Sequence, residues 1–89
     1  MANKEKVTKI IDGDTFETNR RKIPVRLEGV DTPEKRQSGY QEAKRGLEKL
    51  ILGQEVIVDT VARDEYGRAV AQVKIDNKSV NKAMKKFEK

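Results

Sequence analysis

A mainly β fold with two helices (α+β) is what this sequence predicts. Three observations carry the prediction. Apolar and polar residues alternate in several short segments, turn-forming Asp, Gly and Asn fall between those segments, and the apolar spacing changes from two to about 3.6 residues in only two places.

Val7 to Ile11 is apolar and β-branched, and Asp12-Gly13-Asp14 after it reads as a turn. Thr15-Phe16-Glu17-Thr18 is the return strand of a hairpin. Ile23, Val25 and Leu27 alternate with Pro24, Arg26 and Glu28, which sets Arg26 on the face opposite the apolar side chains. Pro24 donates nothing to a ladder, so this strand has a free side or a bulge there. From Gly39 to Leu52 the period is helical, with Tyr40, Ala43, Leu47, Leu50 and Ile51 on one face and charges opposite. Gly53 suits the position past a helix end, while Gly46 inside the helix costs about 1 kcal/mol relative to Ala. Val56 and Val58 begin a fourth strand. After the loop from Arg63 to Arg68, Ala71, Val73 and Ile75 form a fifth, and Asp76-Asn77-Lys78 turns the chain. Ser79 is placed to cap a last helix carrying Val80, Met84 and Phe87 on one face. Five short strands, with a helix between the third and fourth and a short C-terminal helix, match a five-stranded Greek-key barrel of the OB type. Closing the sheet removes its aggregation-prone edges.

The 89 residues allow one small domain, 1–89, with its core from about residue 5 to 84. Leu, Ile, Val and Phe number 21, about 24% of the chain, which supports a thin core. With no Cys and no His, disulfides, thiolate zinc sites, imidazole ligands and His-assisted nucleophiles are excluded. Carboxylates, hydroxyls, guanidinium and ammonium groups remain. No stretch is apolar for long enough to cross a membrane, and the first residues hold no signal-peptide core, so a secreted natural form would need a signal that this chain lacks. The formal charge is +5, but residues 1–9 and 82–89 hold seven Lys against two Glu, and the stretch between them is neutral. Charge alone is therefore an even-handed argument for a polyanionic partner.

The acids cluster. Asp12 and Asp14 sit in one turn, Asp31 and Glu34 in another, each after a strand. Each turn alone reads as ordinary turn chemistry; brought together at one barrel end, they offer the oxygen donors that hard cations such as Ca²⁺ take. Arg26, in a strand interior, either pairs with an acid or grips a phosphate through its fork of donors, and alone the ion pair is favoured. Arg68, after Asp64-Glu65-Tyr66-Gly67, alone is an ordinary exposed Arg.

In order along the chain, Val7-to-Thr15, Val25-Arg26-Leu27, Gly29-Val30-Asp31-Thr32-Pro33-Glu34 and Asp64-Glu65-Tyr66-Gly67-Arg68 resemble the signatures of the staphylococcal nuclease (thermonuclease) family. Gln41-Glu42-Ala43 and Val80-to-Met84 are similar to the starts of that family's two helices. The resemblance covers about Val7 to Met84. It implies an OB-fold, Ca²⁺-dependent phosphodiesterase acting on DNA and RNA, preferably single-stranded, leaving 3′-phosphates and working as a monomer. It further implies that Asp14 and Asp31 bind Ca²⁺ through carboxylates and Thr32 through its carbonyl. Glu34 holds or deprotonates the attacking water, Arg26 and Arg68 grip the phosphate, Tyr66 lines the nucleotide site, and Asp12 supports the metal turn. Three carboxylates around one divalent ion leave about −1, and two arginines supply the charge that admits a phosphate.

The chain departs from the family in three places. Glu65 stands where a basic residue is common, the loop from Lys35 to Tyr40 is short, and Lys85-Lys86-Phe87-Glu88-Lys89 replaces a glycine-bearing helical continuation. The last departure leads us to expect weaker substrate affinity and stability rather than altered chemistry. The competing readings are a non-catalytic OB module that binds single strands and a trimmed, weakly active barrel. Retention of Asp14, Asp31 and Glu34 favours catalysis over the binding module.

Overall fold

Strand β1 (Lys4–Asp12) enters a two-residue turn, Gly13-Asp14, and returns as β2 (Thr15–Thr18), with Asp12 opposite Thr15 and Ile10 opposite Phe16. Two register shifts, between Val7 and Lys9 and between Ile10 and Asp12, bend β1. Its first residues also pair with β4 (Glu55–Arg63), Glu5 opposite Val56. β2 pairs with β3 (Val25–Leu27), and β4 pairs with β5 (Ala69–Ile75). The sheet closes because β3 and β5 pair in parallel, Val25 with Ala69, Arg26 with Val70 and Leu27 with Ala71. The ring β1–β2–β3–β5–β4 is the five-stranded OB-like barrel that the alternation predicts. The computed structural model describes residues 4–88.

A sixth strand, β6 (Lys78–Ser79), extends the sheet beside β5. Asp76 and Asn77, at φ 48° and 66°, make the tight turn between them, the conformation that short Asp and Asn side chains tolerate best. Two polar residues carry no alternation, so β6 has no sequence signature. Ile23 also departs from the alternation: β3 starts only after Pro24, and Ile23 is 45% exposed, outside the core.

Inside the ring lie Val7, Ile10, Phe16, Val25, Leu27, Val56, Val58, Ala71 and Val73, all buried. Helix α1 (Tyr40–Ile51) closes one end of the barrel with Ala43, Leu47 and Ile51, and Leu50 packs at the margin. The Tyr40 hydroxyl donates to the Ile11 carbonyl at 3.2 Å, tying the helix start to β1. Helix α2 (Val80–Met84) begins at Ser79, whose hydroxyl accepts from the Lys82 amide at 3.1 Å, as the capping pattern predicts. It is short and passes into a 3₁₀ turn, Lys85–Phe87. There the Phe87 ring lies against Gly46, where an added Cβ would come within 2.6 Å of two ring carbons. Close approach of Phe87 thus explains a glycine that helix propensity alone opposes.

Asn81 fastens α2 to the sheet. Buried, it accepts from the Val73 amide at 2.8 Å and donates to the Glu28 and Ala71 carbonyls, both at 2.9 Å. Among the described residues no helix is long and apolar enough to cross a membrane.

Candidate functional site

The turn between β1 and β2 carries Asp14 inward, and three chain segments meet on its carboxylate. Thr15 Oγ1 donates to Oδ1 at 2.9 Å, while the Thr32 amide and Arg26 Nη2 approach Oδ2 at 3.4 Å and 3.5 Å. Asp14 is only 7% exposed, so burial makes each of these donors count for more than it would in water. Arg26 reaches it because Thr15 and Arg26 are direct partners across β2 and β3; its Nη1 also donates to the Leu27 carbonyl at 3.3 Å. Of the two fates the strand position allowed Arg26, the ion pair is the one observed here.

Asp12 stands behind this turn and accepts from the Asp14 amide at 3.1 Å. Burial, a hydrogen bond shared with the Asp14 carboxyl and the charge of that carboxyl push Asp12 up to about 6, against lowering by the Asp14 amide and Thr15. A turn holding two acids so close resists carrying both negative charges.

Gly13 brings the turn to its neighbours. A Cβ there would lie 2.6 Å from the Ala43 Cβ and 2.8 Å from Thr32 Oγ1. Thr32 Oγ1 is buried and, among the described residues, has no hydrogen-bond partner. Asp31 and Glu34 flank Thr32 and Pro33 and are exposed. The Asp31 amide donates to Glu88 Oε2 at 3.2 Å, and the Glu34 amide to Gln37 Oε1 at 2.8 Å.

Arg68 and Tyr66 come from the turn between β4 and β5, next to β3 through the parallel pairing. Asp64, the first residue of the Asp64-to-Arg68 motif, organises this turn. Its Oδ1 accepts from the amides of Tyr66 at 3.0 Å and Arg68 at 2.9 Å, and its Oδ2 accepts from Arg68 Nε at 2.6 Å. Partial desolvation raises the Asp64 carboxyl, but the Arg68 and Tyr66 amides and the Arg68 side chain outweigh it and hold it below its ordinary value. The Arg68 guanidinium lies 5.3 Å from the centre of the Tyr66 ring, which is 71% exposed. Arg68 is therefore a held side chain, not a loose surface one. An Asp four residues before an Arg, across a Gly-bearing turn, was the signal available for Asp64.

The fold thus gathers Asp12, Asp14, Arg26 and Thr32 at one point. Asp31 and Glu34 stand on the next turn, and Tyr66 and Arg68 form a separate held pair beside β3. Among the described residues no three carboxylates converge into a ready cation cluster. The donor chemistry of Asp14, Asp31 and the Thr32 carbonyl suits a hard cation, and the unpartnered Thr32 hydroxyl marks a polar, unsatisfied spot beside Asp14.

Residues 24–87 match the family model described as staphylococcal nuclease homologue. The chain belongs to this family. Among similar proteins, an uncharacterized endonuclease of Escherichia coli O157:H7 is 35% identical over 82 residues, covering 89% of this chain and 54% of its own length. A micrococcal nuclease of Shigella flexneri is 41% identical over 69 residues, covering 75% of this chain and 40% of its own. An uncharacterized endonuclease of Haemophilus influenzae is 34% identical over 84 residues, covering 91% and 47%. The chain spans about half the length of these relatives.

Proposed function

We propose that this chain is a nuclease domain that hydrolyses phosphodiesters of DNA and RNA, preferably single-stranded, with Ca²⁺ held by the Asp14 and Asp31 carboxylates and the Thr32 carbonyl. The observation that carries the reading is the meeting at Asp14 of the acidic turn, Arg26 and the Thr32 segment. These are the same segments whose order resembles the nuclease signatures. A cation bound there supplies Lewis-acid charge to a phosphate oxygen and to water.

The chain's own groups do the rest. Arg26 is part-exposed beside Asp14 and presents its fork to the non-bridging oxygens, and Arg68, held by Asp64, does so from the turn between β4 and β5. Both stabilise the charge that grows on the phosphorus oxygens in the transition state. Glu34 accepts a proton from the attacking water. The oxygen–phosphorus bond forms, the bond to the 5′-oxygen breaks and that oxygen takes a proton from solvent, which leaves the phosphate on the 3′ side. The exposed Tyr66 ring with Arg68 over its face suits an unpaired base, since stacking on an aromatic contributes about 1–3 kcal/mol per base.

The test is cleavage of DNA and RNA oligonucleotides with millimolar Ca²⁺ and with chelator. Arg26→Ala and Glu34→Ala should each lower the rate about 100-fold or more while the protein stays folded. Cleavage by the wild type no greater than by Asp31→Ala would end the proposal. Ca²⁺-indifferent, salt-sensitive binding without cleavage would support a binding module instead.

A further inference from the structure

The neutral charge balance of the chain's body conceals a local excess. The connection from β2 to β3 carries Arg20, Arg21 and Lys22 in succession, and the end of β4 delivers Arg63 to the same place. With Glu5 and Ile23 they line an open cleft of about 530 Å³. Glu5 is 6% exposed, and its carboxylate is taken up by Arg21 Nε at 2.8 Å, Arg21 Nη2 at 2.9 Å and Thr18 Oγ1 at 2.7 Å. Arg21 is thereby fixed and neutralised. Arg20, Lys22 and Arg63 remain, all exposed and, among the described residues, with no ion-pair partner.

Four cations against the single Glu5 carboxylate leave the cleft with an excess of positive charge, and a polyanion relieves the repulsion among them. The cleft also borders the turn that carries Tyr66. Arg63 Nη1 donates to the Gly67 carbonyl at 3.2 Å, and Ile23 Cδ1 lies 3.6 Å from where a Cβ on Gly67 would sit. Arg63 pairs with Ala69 and Ala69 with Val25, so the cleft starts about two strand spacings, roughly 10 Å, from the strand of Arg26. An OB barrel engages about 4–16 nucleotides of a single strand, long enough to reach from Arg26 to a cleft roughly 10 Å away.

We propose that this cleft is a second phosphate-binding site, in which Arg20, Lys22 and Arg63 contact the backbone of a single-stranded nucleic acid running on past Tyr66. The continuity at Tyr66 rests on the nuclease reading above; the cleft's own affinity for phosphates does not. Ile23, 45% exposed among the cations, offers an apolar surface to a sugar or base edge.

The test is binding of a fluorescent single-stranded octanucleotide in chelator, read by anisotropy between about 50 and 200 mM salt. Single-strand binding loses about 0.7 in log–log salt slope per phosphate contact. Arg20→Ala/Lys22→Ala should therefore flatten the slope by about 1.4 and shrink the wild-type advantage about sevenfold across that range. Arg20→Lys/Lys22→Arg should keep the slope. Neither residue's side chain enters the core, so urea midpoints should match the wild type. An unchanged slope, or no octanucleotide binding by the wild type, overturns the proposal. So does an equal effect on binding of a poly-glutamate peptide of the same charge, which would mark the patch as a general anion attractor. Cleavage with Ca²⁺ on the same proteins separates the two readings: a normal rate with an unchanged slope removes the cleft alone, and no cleavage with a flattened slope removes the nuclease alone.

Discussion

Gly13→Ala is the substitution whose consequence the structure fixes most tightly. Gly13 does not have a positive φ, so its backbone accepts an alanine. The obstacle is space. The new methyl would lie 2.6 Å from the Ala43 Cβ, 2.8 Å from Thr32 Oγ1 and 3.0 Å from the Thr32 Cβ. Carbon atoms rest about 3.5–4.0 Å apart, so the turn must separate from α1 and the Thr32 segment by about 1 Å. None of the opposing atoms is the end of a flexible chain. Overpacking of this kind costs about 1–3 kcal/mol, and the lost flexibility of the unfolded chain returns about 0.4–1 kcal/mol. A net loss of about 1–2 kcal/mol lowers the Tm of a domain this size by roughly 4–16 °C.

The same opening pulls Thr32 away from Asp14, whose contact to the Thr32 amide is already long at 3.4 Å. A misplacement of about 1 Å at a reacting site costs about 100-fold in rate, so cleavage should fall further than stability. Thermal unfolding followed by circular dichroism, with cleavage assayed well below the midpoint, measures both. Adding Ala43→Gly removes the shortest contact and should recover part of the loss, giving a coupling energy of about 0.5 kcal/mol or more. A Gly13→Ala protein that melts at or above the wild-type temperature would refute the packing account.

Gly46→Ala should stabilise by about 1 kcal/mol in a Phe87→Ala background, where only helix propensity acts, and by much less or not at all with Phe87 present, because the ring occupies the space; urea midpoints of the four proteins report it. Asn81→Ala leaves the buried Val73 amide and the Glu28 carbonyl short of a partner, while the Ala71 carbonyl keeps the Glu28 amide, and should cost about 2–4 kcal/mol. Asn81→Asp should cost more, since it sets a carboxylate oxygen against the Glu28 and Ala71 carbonyls. Burial raises the Glu5 carboxyl, but hydrogen bonds from Arg21 and Thr18 and the charges of Arg21 and Arg20 outweigh it and leave it below 4.5. A depressed folded value means that its stabilisation is complete above the unfolded value and is lost as pH falls through the folded one. The stability difference between wild type and Glu5→Gln should therefore be constant above about pH 5 and shrink below pH 4.5; a difference that grew on acidification would contradict the ion pair.

Much of the barrel is legible because β3, β5, the start of β1 and the first half of β4 bury alternate side chains. The signal fades where that physical cause ends. Only Val56 and Val58 announce β4, because its second half, from Asp59 to Arg63, lies exposed with nothing to alternate against. Ile23 continues the apolar alternation, yet Pro24 precedes the strand and leaves Ile23 outside, at the basic cleft. Glu5 reads as one more solvated charge, and only the fold shows Arg21 and Thr18 closing over it from sixteen and thirteen residues away. Gly13 reads as a turn former, whereas its missing Cβ lets α1 and the Thr32 segment approach Asp14.

The candidate site divides along the same line. Its residue types can be read because the two acid-bearing turns, the strand arginine and the Asp64-to-Arg68 turn follow one another in a recognisable order along the chain. Their grouping cannot, because it is set by ring closure. The parallel β3–β5 pairing joins segments far apart in sequence, and it puts the Asp64–Arg68 turn beside Arg26 and the cleft beyond it. Nothing local in Val25-Arg26-Leu27 or Ala69-Val70-Ala71 specifies that pairing; the burial of Val25, Leu27, Ala69 and Ala71 against a common core does. Weakening the core on this side, with Leu27→Ala for instance, should therefore loosen the Arg68 turn together with the barrel. Disrupting Asp64 should free Arg68 and leave the barrel's unfolding midpoint nearly unchanged. That contrast separates a residue that holds the fold from one that only aims a guanidinium.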